Sequence, residues 1–152
     1  MRISAKADYA VRAALELAAA SDKEPVKGER LSEAQGIPLQ FLEHILLELK
    51  HHGIVRARRG AKGGYWLARP ADEVTIAEIV RAVEGPIAHV QSTPPEDIEY
   101  RGNSEHLQAV WIAVRASLRS VLEEVTLADL VSGELPSVVG ELTSSKDAWV
   151  AR

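Results

Sequence analysis

The sequence predicts a mainly helical protein with one small β-hairpin, followed by a separate long helix. Three observations lead to this fold class. Apolar residues recur at helical spacing in several segments, two short apolar segments flank a glycine-rich turn, and an apolar seam runs over about three heptads in the second half. Apolar residues make up 46% and charged residues 26% of the 152 residues, which is typical of a globular domain rather than a disordered or collagen-like chain.

The N-terminal third of the chain predicts three helices. Ser4 is expected to cap a first, alanine-rich helix that reaches to about residue 20. A short second helix over about residues 28–35 is ended by Gly36. A third helix opens at Pro38, because a missing N–H costs nothing at the first helical position, and it ends before Gly53. The inward stripe of this third helix consists of Leu39, Leu42, Ile45, Leu46 and Leu49.

Residues 54–57 and 65–68 predict two short strands, and the segment 58–64 between them predicts a turn that needs the backbone freedom of glycine. Charge is unevenly distributed around this hairpin. Residues 1–69 carry a net charge of +4 and the remainder −8, within a total of −4. The segment 51–69 holds four arginines, one lysine and no acidic residue. Because phosphate binding depends on such a local basic surface, this segment is a candidate for it; a solvated charged loop is the alternative.

The second half of the chain predicts further helices. The capping box Thr75–Glu78 starts a helix that Gly85 ends, and residues 86–103 are irregular. Ser104 is expected to cap a long helix that reaches to about residue 125, after which a short helix follows. Residues 134–152 are punctuated by Ser, Gly and Pro and are expected to be frayed.

Three helices followed by a hairpin form the winged helix-turn-helix arrangement. In it the third helix enters the major groove of DNA, and the hairpin, or wing, reaches the neighbouring backbone or minor groove. Arg59, directly before a glycine, suits a narrow minor groove, whereas Arg58 and Lys62 suit phosphates. The predicted DNA-binding residues are Gln40, Phe41, Glu43, His44, Arg58, Arg59, Gly60 and Lys62. The alternative is that the polar residues of the third helix are ordinary exposed side chains.

The long helix carries an apolar seam that predicts self-association. The positions of the seam are Leu107, Val110, Trp111, Val114, Leu118, Val121, Leu122 and Val125. A preceding domain of about 70 residues cannot easily cover so many large apolar side chains, so we expect a homodimer on a palindromic operator, with half-sites about one helical turn apart. The alternative is that this helix packs onto its own N-terminal domain.

These segments together resemble the Rrf2 family of bacterial transcription regulators over residues 1 to about 133. The motifs that carry the resemblance are ISAKADYA (3–10), IPLQFLE (37–43), RGAKGGY (59–65) and VTLADL (125–130). The resemblance implies a homodimeric winged-helix repressor or activator. It also implies that Gln40, Phe41, Glu43 and His44 read the major groove and that Arg59 enters the minor groove.

The sequence departs from the cluster-binding members of this family, which carry three cysteines between the fourth helix and the long helix. This chain has no cysteine, so thiolate sites for zinc or iron–sulfur clusters, disulfides and cysteine nucleophiles are excluded. No metal site is predicted, because the candidate ligands of the segment 89–106 are irregularly spaced. The alternative is a zinc or iron ion, which imidazole and carboxylate both suit, held by His89, Glu96, Asp97, Glu105 and His106. The resemblance is therefore to the cysteine-free branch, of the cysteine metabolism repressor type, which implies a role in sulfur or cysteine metabolism and no cofactor.

An effector, either a small molecule or a protein, is expected to control DNA binding. Trp66, Tyr100 and Trp111 are the predicted effector residues, with ordinary core aromatics as the alternative. The sequence shows no catalytic constellation, no membrane span and no secretory signal, so we expect a cytoplasmic regulator and not an enzyme. The alternative function is a protein-interaction module whose acidic C-terminal half binds a partner enzyme, with weak DNA binding.

The sequence thus predicts four parts along the chain. These are a winged helix-turn-helix domain (1–85), an irregular effector or linker segment (86–103), a dimerisation helix with a short return helix (104–133) and a C-terminal tail (134–152).

Overall fold

The computed structural model describes residues 2–20 and 24–151, and these ranges contain seven α-helices and one two-stranded antiparallel sheet. The helices are α1 (Ala5–Ala19), α2 (Gly28–Gln35), α3 (Leu39–His51), α4 (Ile76–Glu84), α5 (Leu107–Leu122), α6 (Leu127–Ser132) and α7 (Ser137–Thr143). The strands are β1 (Val55–Arg58) and β2 (Gly64–Leu67), and short 3-10 turns cover Ala71–Glu73, Pro95–Asp97, Gly102–Ser104 and Lys146–Trp149. The predicted fold class, mainly helical with a hairpin wing, is confirmed. Within the described ranges, no helix combines the length and apolar character needed to span a membrane.

Helix α1 lies at the centre of the fold and packs against α2, α3, α4, α6 and β2. Its inward face is built from Ala7, Ala10, Ala13 and Ala14, all of which are buried. Because alanine side chains are small, neighbouring helices approach α1 closely and fill the space with their own larger side chains. Those larger core residues include Leu31, Ile37, Leu42, Ile45, Leu46, Leu49, Ile54, Ile79 and Leu127.

The helix ends follow the predicted capping chemistry. The Ser4 hydroxyl accepts a hydrogen bond from the Ala7 N–H at 3.0 Å, and it also donates to the Glu84 carboxylate at the end of α4. The capping box at the start of α4 is complete, since Thr75 and Glu78 each bond the other's backbone N–H. Gly36 adopts the left-handed conformation after α2, with φ of 63°.

The wing is a hairpin whose register pairs Val55 with Leu67 and Arg58 with Gly64. Strand β1 lies one residue later in the chain than predicted, and β2 lies one residue earlier. The reason is that the hydrogen-bonded ladder extends to the pair Arg58–Gly64 next to the turn. The structure also shows a third segment beside the hairpin, at Val26, which the sequence does not predict. Val26 and Tyr65 exchange two backbone hydrogen bonds, each 2.8 Å long, which tie the wing to the chain just before α2.

After α5 the chain returns to the N-terminal domain. The Ile76 N–H donates to the Val125 carbonyl and the Leu127 N–H donates to the Val74 carbonyl, both at 3.0 Å. Leu127 is fully buried, and α6 packs against α1. Val125, the last position of the predicted seam, is therefore a core residue of its own domain and lies outside α5.

Two predicted boundaries are wrong. Helix α5 begins at Leu107 rather than at Ser104, because Ser104 ends a 3-10 turn in which its hydroxyl donates to the Arg101 carbonyl. The C-terminal residues, expected to be frayed, form α7 and a final 3-10 turn in which the Trp149 indole donates to the Thr143 carbonyl at 2.8 Å. Pro136 starts α7 without a side-chain cap, while the Ser145 hydroxyl caps the final turn, so this segment forms regular structure although its composition resembles a tail.

The wing turn depends on Gly63, and a test follows from its surroundings. A Cβ atom at this position would overlap the carbonyl oxygen of Arg58, whereas a Cβ atom at Gly140 in α7 would meet nothing within 4 Å. We expect Gly63→Ala to lower the free energy of unfolding by about 1–3 kcal/mol through backbone displacement. Gly140→Ala, the matched control, is expected to be neutral or stabilising by up to about 1 kcal/mol. Urea unfolding measures both; equal midpoints for the two variants would contradict this account of the turn.

Candidate nucleic-acid interface

Helix α3 separates an inward apolar face from an outward polar one. Leu42, Ile45, Leu46 and Leu49 are buried, as predicted, while Leu39 at the first position is half-buried. The four predicted contact residues of this helix, Gln40, Phe41, Glu43 and His44, are all exposed. Within the described ranges, the side chains of Gln40 and His44 make no hydrogen bond or ion pair, so their polar atoms are available to a ligand.

Phe41 is held in place by an aromatic contact with α1. Its ring meets the Tyr9 ring edge to face, with centroids 5.7 Å apart and planes at 80°. The Arg12 guanidinium lies 5.3 Å from the centre of the same Tyr9 ring. Arg12 also donates to Gln35 of α2 at 3.0 Å. This chain of contacts joins the first three helices and fixes the N-terminal turns of α3, from which the outward residues project.

The tip of the wing is basic and internally braced. The Arg58 guanidinium donates to the Lys62 carbonyl at 2.9 Å across the turn, so Arg58 is part of the turn as well as of the basic surface. Arg59 and the Lys62 side chain are exposed and, in the part of the chain that the structure describes, form no ion pair. Gly60 has φ of 100°, a backbone conformation that favours glycine.

Lys27, which the sequence analysis did not single out, supports the wing from α2. Its ammonium group donates to the Gly60 carbonyl at 2.7 Å. The two residues are far apart in sequence, and Lys27 stands outside the basic segment 51–69, so no sequence pattern connects them. Lys27 adds a further positive charge beside the tip.

Tyr65 connects the base of the wing to α3. A Cβ atom at Gly28 would lie 3.6 Å from the Tyr65 ring and 3.7 Å from the Leu39 side chain, which shows that the three residues meet. Burial raises the pKa of Tyr65, and the carboxylates of Glu43 and Glu29 raise it further. Glu43 follows Leu39 by four residues and so lies on the same side of α3, the side that meets Tyr65. The exposed residues of α3 and the wing therefore belong to neighbouring parts of the surface.

Helix α5 buries none of its 16 residues within the chain. Val110 is 53% exposed and Ile112 36% exposed. Six other positions of the predicted seam, Leu107, Trp111, Val114, Leu118, Val121 and Leu122, are half-buried. Such a long helix with an uncovered apolar side is unusual for an isolated domain, because burial of apolar surface is what normally holds a helix against its neighbours.

The three predicted effector residues do not meet in the structure. Trp66 lies on β2 opposite Arg56, Trp111 lies on α5, and both are half-buried. Tyr100 lines an open hollow together with carboxylates such as Glu96 and Glu105, and neither tryptophan lines it. Across the described residues, no ring contact joins the three aromatics.

The comparisons with known proteins agree with this architecture. The Rrf2 family profile, described as "Iron-dependent Transcriptional regulator", matches residues 3–133. The chain belongs to the Rrf2 family of transcriptional regulators. It is therefore a DNA-binding regulator with a winged helix, and its relatives and structural neighbours are regulators rather than enzymes.

Individual relatives in this family cover nearly the whole chain. A protein of Mycobacterium tuberculosis named as an HTH-type transcriptional regulator, Rv1287, is 51% identical over 142 residues, which are 93% of this chain and 88% of that protein. CymR of Bacillus subtilis is 32% identical over 87% of this chain and 91% of its own length. The solved structure of that CymR, titled the global cysteine regulator, has a TM-score of 0.73 over 87% of this chain and 97% of that one. The IscR structure from T. potens has a TM-score of 0.70 at 28% identity, over 100% of this chain and 93% of that one.

The residues of this Rrf2 chain do not fit a thiolate-bound iron centre, although the description of the family names iron. The sequence contains no cysteine. In the described ranges, no three His, Asp or Glu side chains come together in a group that could hold a metal ion.

The contact between Lys27 and the wing tip generates a test of how the wing is held. We expect Lys27→Gln to weaken DNA binding about fivefold, because it removes one charge-assisted hydrogen bond worth about 1 kcal/mol and loosens the tip. Lys27→Arg is expected to retain most of the affinity, and Lys146→Gln, a remote exposed lysine, is the matched control. Fluorescence anisotropy with a labelled duplex gives the affinities; a loss of equal size in Lys146→Gln would show that only overall charge matters.

Proposed function

We propose that this protein is a homodimeric, sequence-specific DNA-binding repressor of a bacterial operon, acting in the cytoplasm on a palindromic operator. The observation that carries the proposal is the position of the outward residues of α3 beside an acid-free basic wing. Both sit on one rigid scaffold, because Tyr65 and Lys27 attach the wing to α2 and α3. Rigid placement of two contact elements is what groove recognition requires.

In this proposal the two elements have different tasks. Gln40 bonds an adenine edge, Phe41 contacts a thymine methyl group, and His44 donates to guanine or phosphate. Glu43 accepts from cytosine or orients its neighbours, and its closeness to Tyr65 favours the second role. Arg59 enters the minor groove at the turn that Gly60 shapes, while Arg58 and Lys62 contact phosphates and add affinity without sequence choice.

Pairing of two copies through α5 is the second part of the proposal. The interface consists of the exposed and half-buried seam positions Leu107, Val110, Trp111, Val114, Leu118, Val121 and Leu122. Val125, which was predicted to belong to the seam, is left out because it is buried in its own domain. A two-fold axis through α5 would place the two copies of α3 on half-sites about one helical turn apart.

The regulated pathway in this proposal is sulfur or cysteine metabolism, and the regulator works without an iron–sulfur cluster. Two observations support this. The chain has no cysteine, and the structure of B. subtilis CymR, titled the global cysteine regulator, superimposes with a TM-score of 0.73. Control is exerted by a small molecule or a protein. The sequence predicts Trp66, Tyr100 and Trp111 as its contacts, but Tyr100 lines a hollow that neither tryptophan lines, so the three residues do not form one site.

The role of Arg59 is tested by DNA binding at several salt concentrations. We expect Arg59→Ala to weaken binding to a duplex selected from a random library by about 1–3 kcal/mol, which is roughly 5-fold to 150-fold. For the intact protein, log affinity should fall linearly with log salt, with a slope of about 0.9 per neutralised phosphate. Arg101→Ala is the control, because Arg101 is 90% exposed and lies outside the wing. Binding that is absent or independent of salt would favour the protein-interaction module.

The role of α5 is tested by the oligomeric state. We expect Val110→Asp to convert the dimer to a monomer, because it places a charge within the proposed apolar interface at its most exposed position. Leu47→Asp is the matched control, since Leu47 is 46% exposed on α3 and lies away from α5. Native mass spectrometry reports both masses. A wild-type protein that is strictly monomeric, or a Val110→Asp variant that stays dimeric, would contradict the proposed interface.

A further inference from the structure

A hollow of about 520 Å³ lies where four parts of the chain meet, and it is separate from the predicted aromatic effector site. It is bordered by the end of α3, the last turn of α4, the segment 85–96 and the part of α5 that carries Arg115 and Arg119. Its lining residues are His52, Arg81, Gly85, Pro86, Ile87, His89, Glu96, Arg115 and Arg119. The volume falls within the range of about 300–1,000 Å³ that is usual for small-molecule sites.

The lining carries more positive than negative charge. Arg115 donates to Glu96 at 2.7 Å, and Arg119 donates to Glu123, behind the lining, at 2.9 Å. Arg81 donates to the same Glu123 carboxylate. Three guanidinium groups therefore face two carboxylates, and His52 and His89 stand beside them.

Both carboxylates are held in their ionised form. A hydrogen bond from its own backbone N–H and one from Arg115 keep the pKa of Glu96 below its ordinary value, and His89 contributes in the same direction. Hydrogen bonds from Arg81 and Arg119 likewise keep the pKa of Glu123 low. Each guanidinium has five N–H donors, and in the described ranges each of these three arginines gives one hydrogen bond to a side chain. Donors therefore remain for an incoming anion.

The wall formed by the segment 85–96 combines apolar surface with a tightly turned backbone. Pro86 and Ile87 supply apolar atoms, next to the polar groups on α4 and α5. Three residues of this segment that are not glycine, Ala88, Gln91 and Ser92, have positive φ angles of 55°, 51° and 66°. Gln91 and Ser92 are the central residues of a tight turn that Val90 and Thr93 close with two backbone hydrogen bonds, so their φ angles belong to that turn. Ala88 lies between the lining residues Ile87 and His89, and its positive φ marks the bend of the chain at the hollow.

We propose that this hollow binds a small organic anion, a metabolite that carries a carboxylate or phosphate group on a compact, partly apolar body. The arginines of α4 and α5 bind its oxygens in pairs, and Pro86 and Ile87 contact its apolar part. The neighbouring hollow around Tyr100 is lined by four carboxylates, from Glu96, Asp97, Glu99 and Glu105, against the single cation of Arg101, and it repels such a ligand.

The position of this site allows a bound anion to control DNA binding, an inference that rests on the proposed function. The pair between Arg81 of α4 and Glu123 at the end of α5 joins the DNA-binding domain to the helix proposed for dimerisation. His52 caps the C-terminal end of α3, so the lining also touches the proposed recognition helix. An anion at this site competes with Glu123 and Glu96 for the arginines. Loss of these ion pairs changes the position of α5 relative to α4, and thereby the distance between the two α3 helices in a dimer.

The test is direct binding by isothermal titration calorimetry with the full chain. The probes are citrate and inorganic phosphate, each in sodium chloride at matched ionic strength. We expect saturable binding of at least one probe, with one site per protomer. Binding of citrate but not phosphate indicates a carboxylate ligand, and binding of phosphate but not citrate indicates a phosphate ester. Binding of both probes indicates an oxyanion site that accepts either group. The absence of binding by both probes overturns the proposal.

Variants locate the site. Arg115→Gln combined with Arg119→Gln is expected to weaken binding by about tenfold or more, while Arg101→Gln in the neighbouring hollow leaves it unchanged. Glu96→Gln is expected to bind several-fold more tightly, because it removes the competing carboxylate; a gain of affinity cannot come from misfolding. Unchanged affinity in the double variant, or no gain in Glu96→Gln, overturns the proposal.

Anisotropy with DNA, measured with and without the anion, separates this site from the proposed function. Anion binding without any binding of DNA overturns the regulator and leaves the site standing. DNA binding that persists while neither probe binds overturns the site and leaves the regulator standing. A shift of DNA affinity by the anion in wild type, lost in the double variant, supports both.

Discussion

The close approach of the other helices to the alanine face of α1 is the constraint on which the rest of the structure depends. Ala10, Ala13 and Ala14 are fully buried and leave space that the leucines and isoleucines of α3 fill. Larger side chains on α1 would push α3 outward, and the outward residues of α3 would lose their fixed relation to the wing. The edge contact between Tyr9 and Phe41 extends the same packing to the surface. The geometry of the proposed DNA-contacting face is therefore set by small residues buried in the core.

The wing is held by backbone and side-chain contacts that lie outside the hairpin. A two-stranded hairpin is marginally stable by itself, because it has little apolar surface to bury. Here Val26 adds a third segment through two hydrogen bonds, and Tyr65 packs against Gly28 and Leu39. Lys27 then reaches the tip at Gly60. The segment before α2 thus positions the wing relative to α3, which makes the two contact elements one surface.

Helix α5 is connected to the segment 86–103 and to α4 through polar contacts, and to the core around α1 through α6. Gln108 donates to the carbonyls of Pro95, Glu96 and Ile98, and Arg81 pairs with Glu123. Polar contacts of this kind rearrange at lower cost than a packed apolar core does, because water can replace each partner. The proposed anion site lies among these polar contacts, at the junction that can shift while the domain around α1 stays rigid.

The sequence by itself determined helices α1 to α6, the caps at Ser4, Gly36 and Thr75, and the division of α3 into two faces, because these depend on residues three or four positions apart. It also determined the basic wing, since glycine and arginine types specify a turn and its charge. Only the tertiary structure decided which distant residues meet: Val26 with Tyr65, Lys27 with Gly60, and the arginines of α4 and α5 around one hollow. Composition misled for the C-terminal residues, which form α7 and a final 3-10 turn capped by Ser145. Apolar spacing misled for Val125, which the return of α6 buries in its own domain. The physical reason is the same throughout: periodicity reports local backbone structure, whereas contacts between elements depend on how close packing brings remote side chains together.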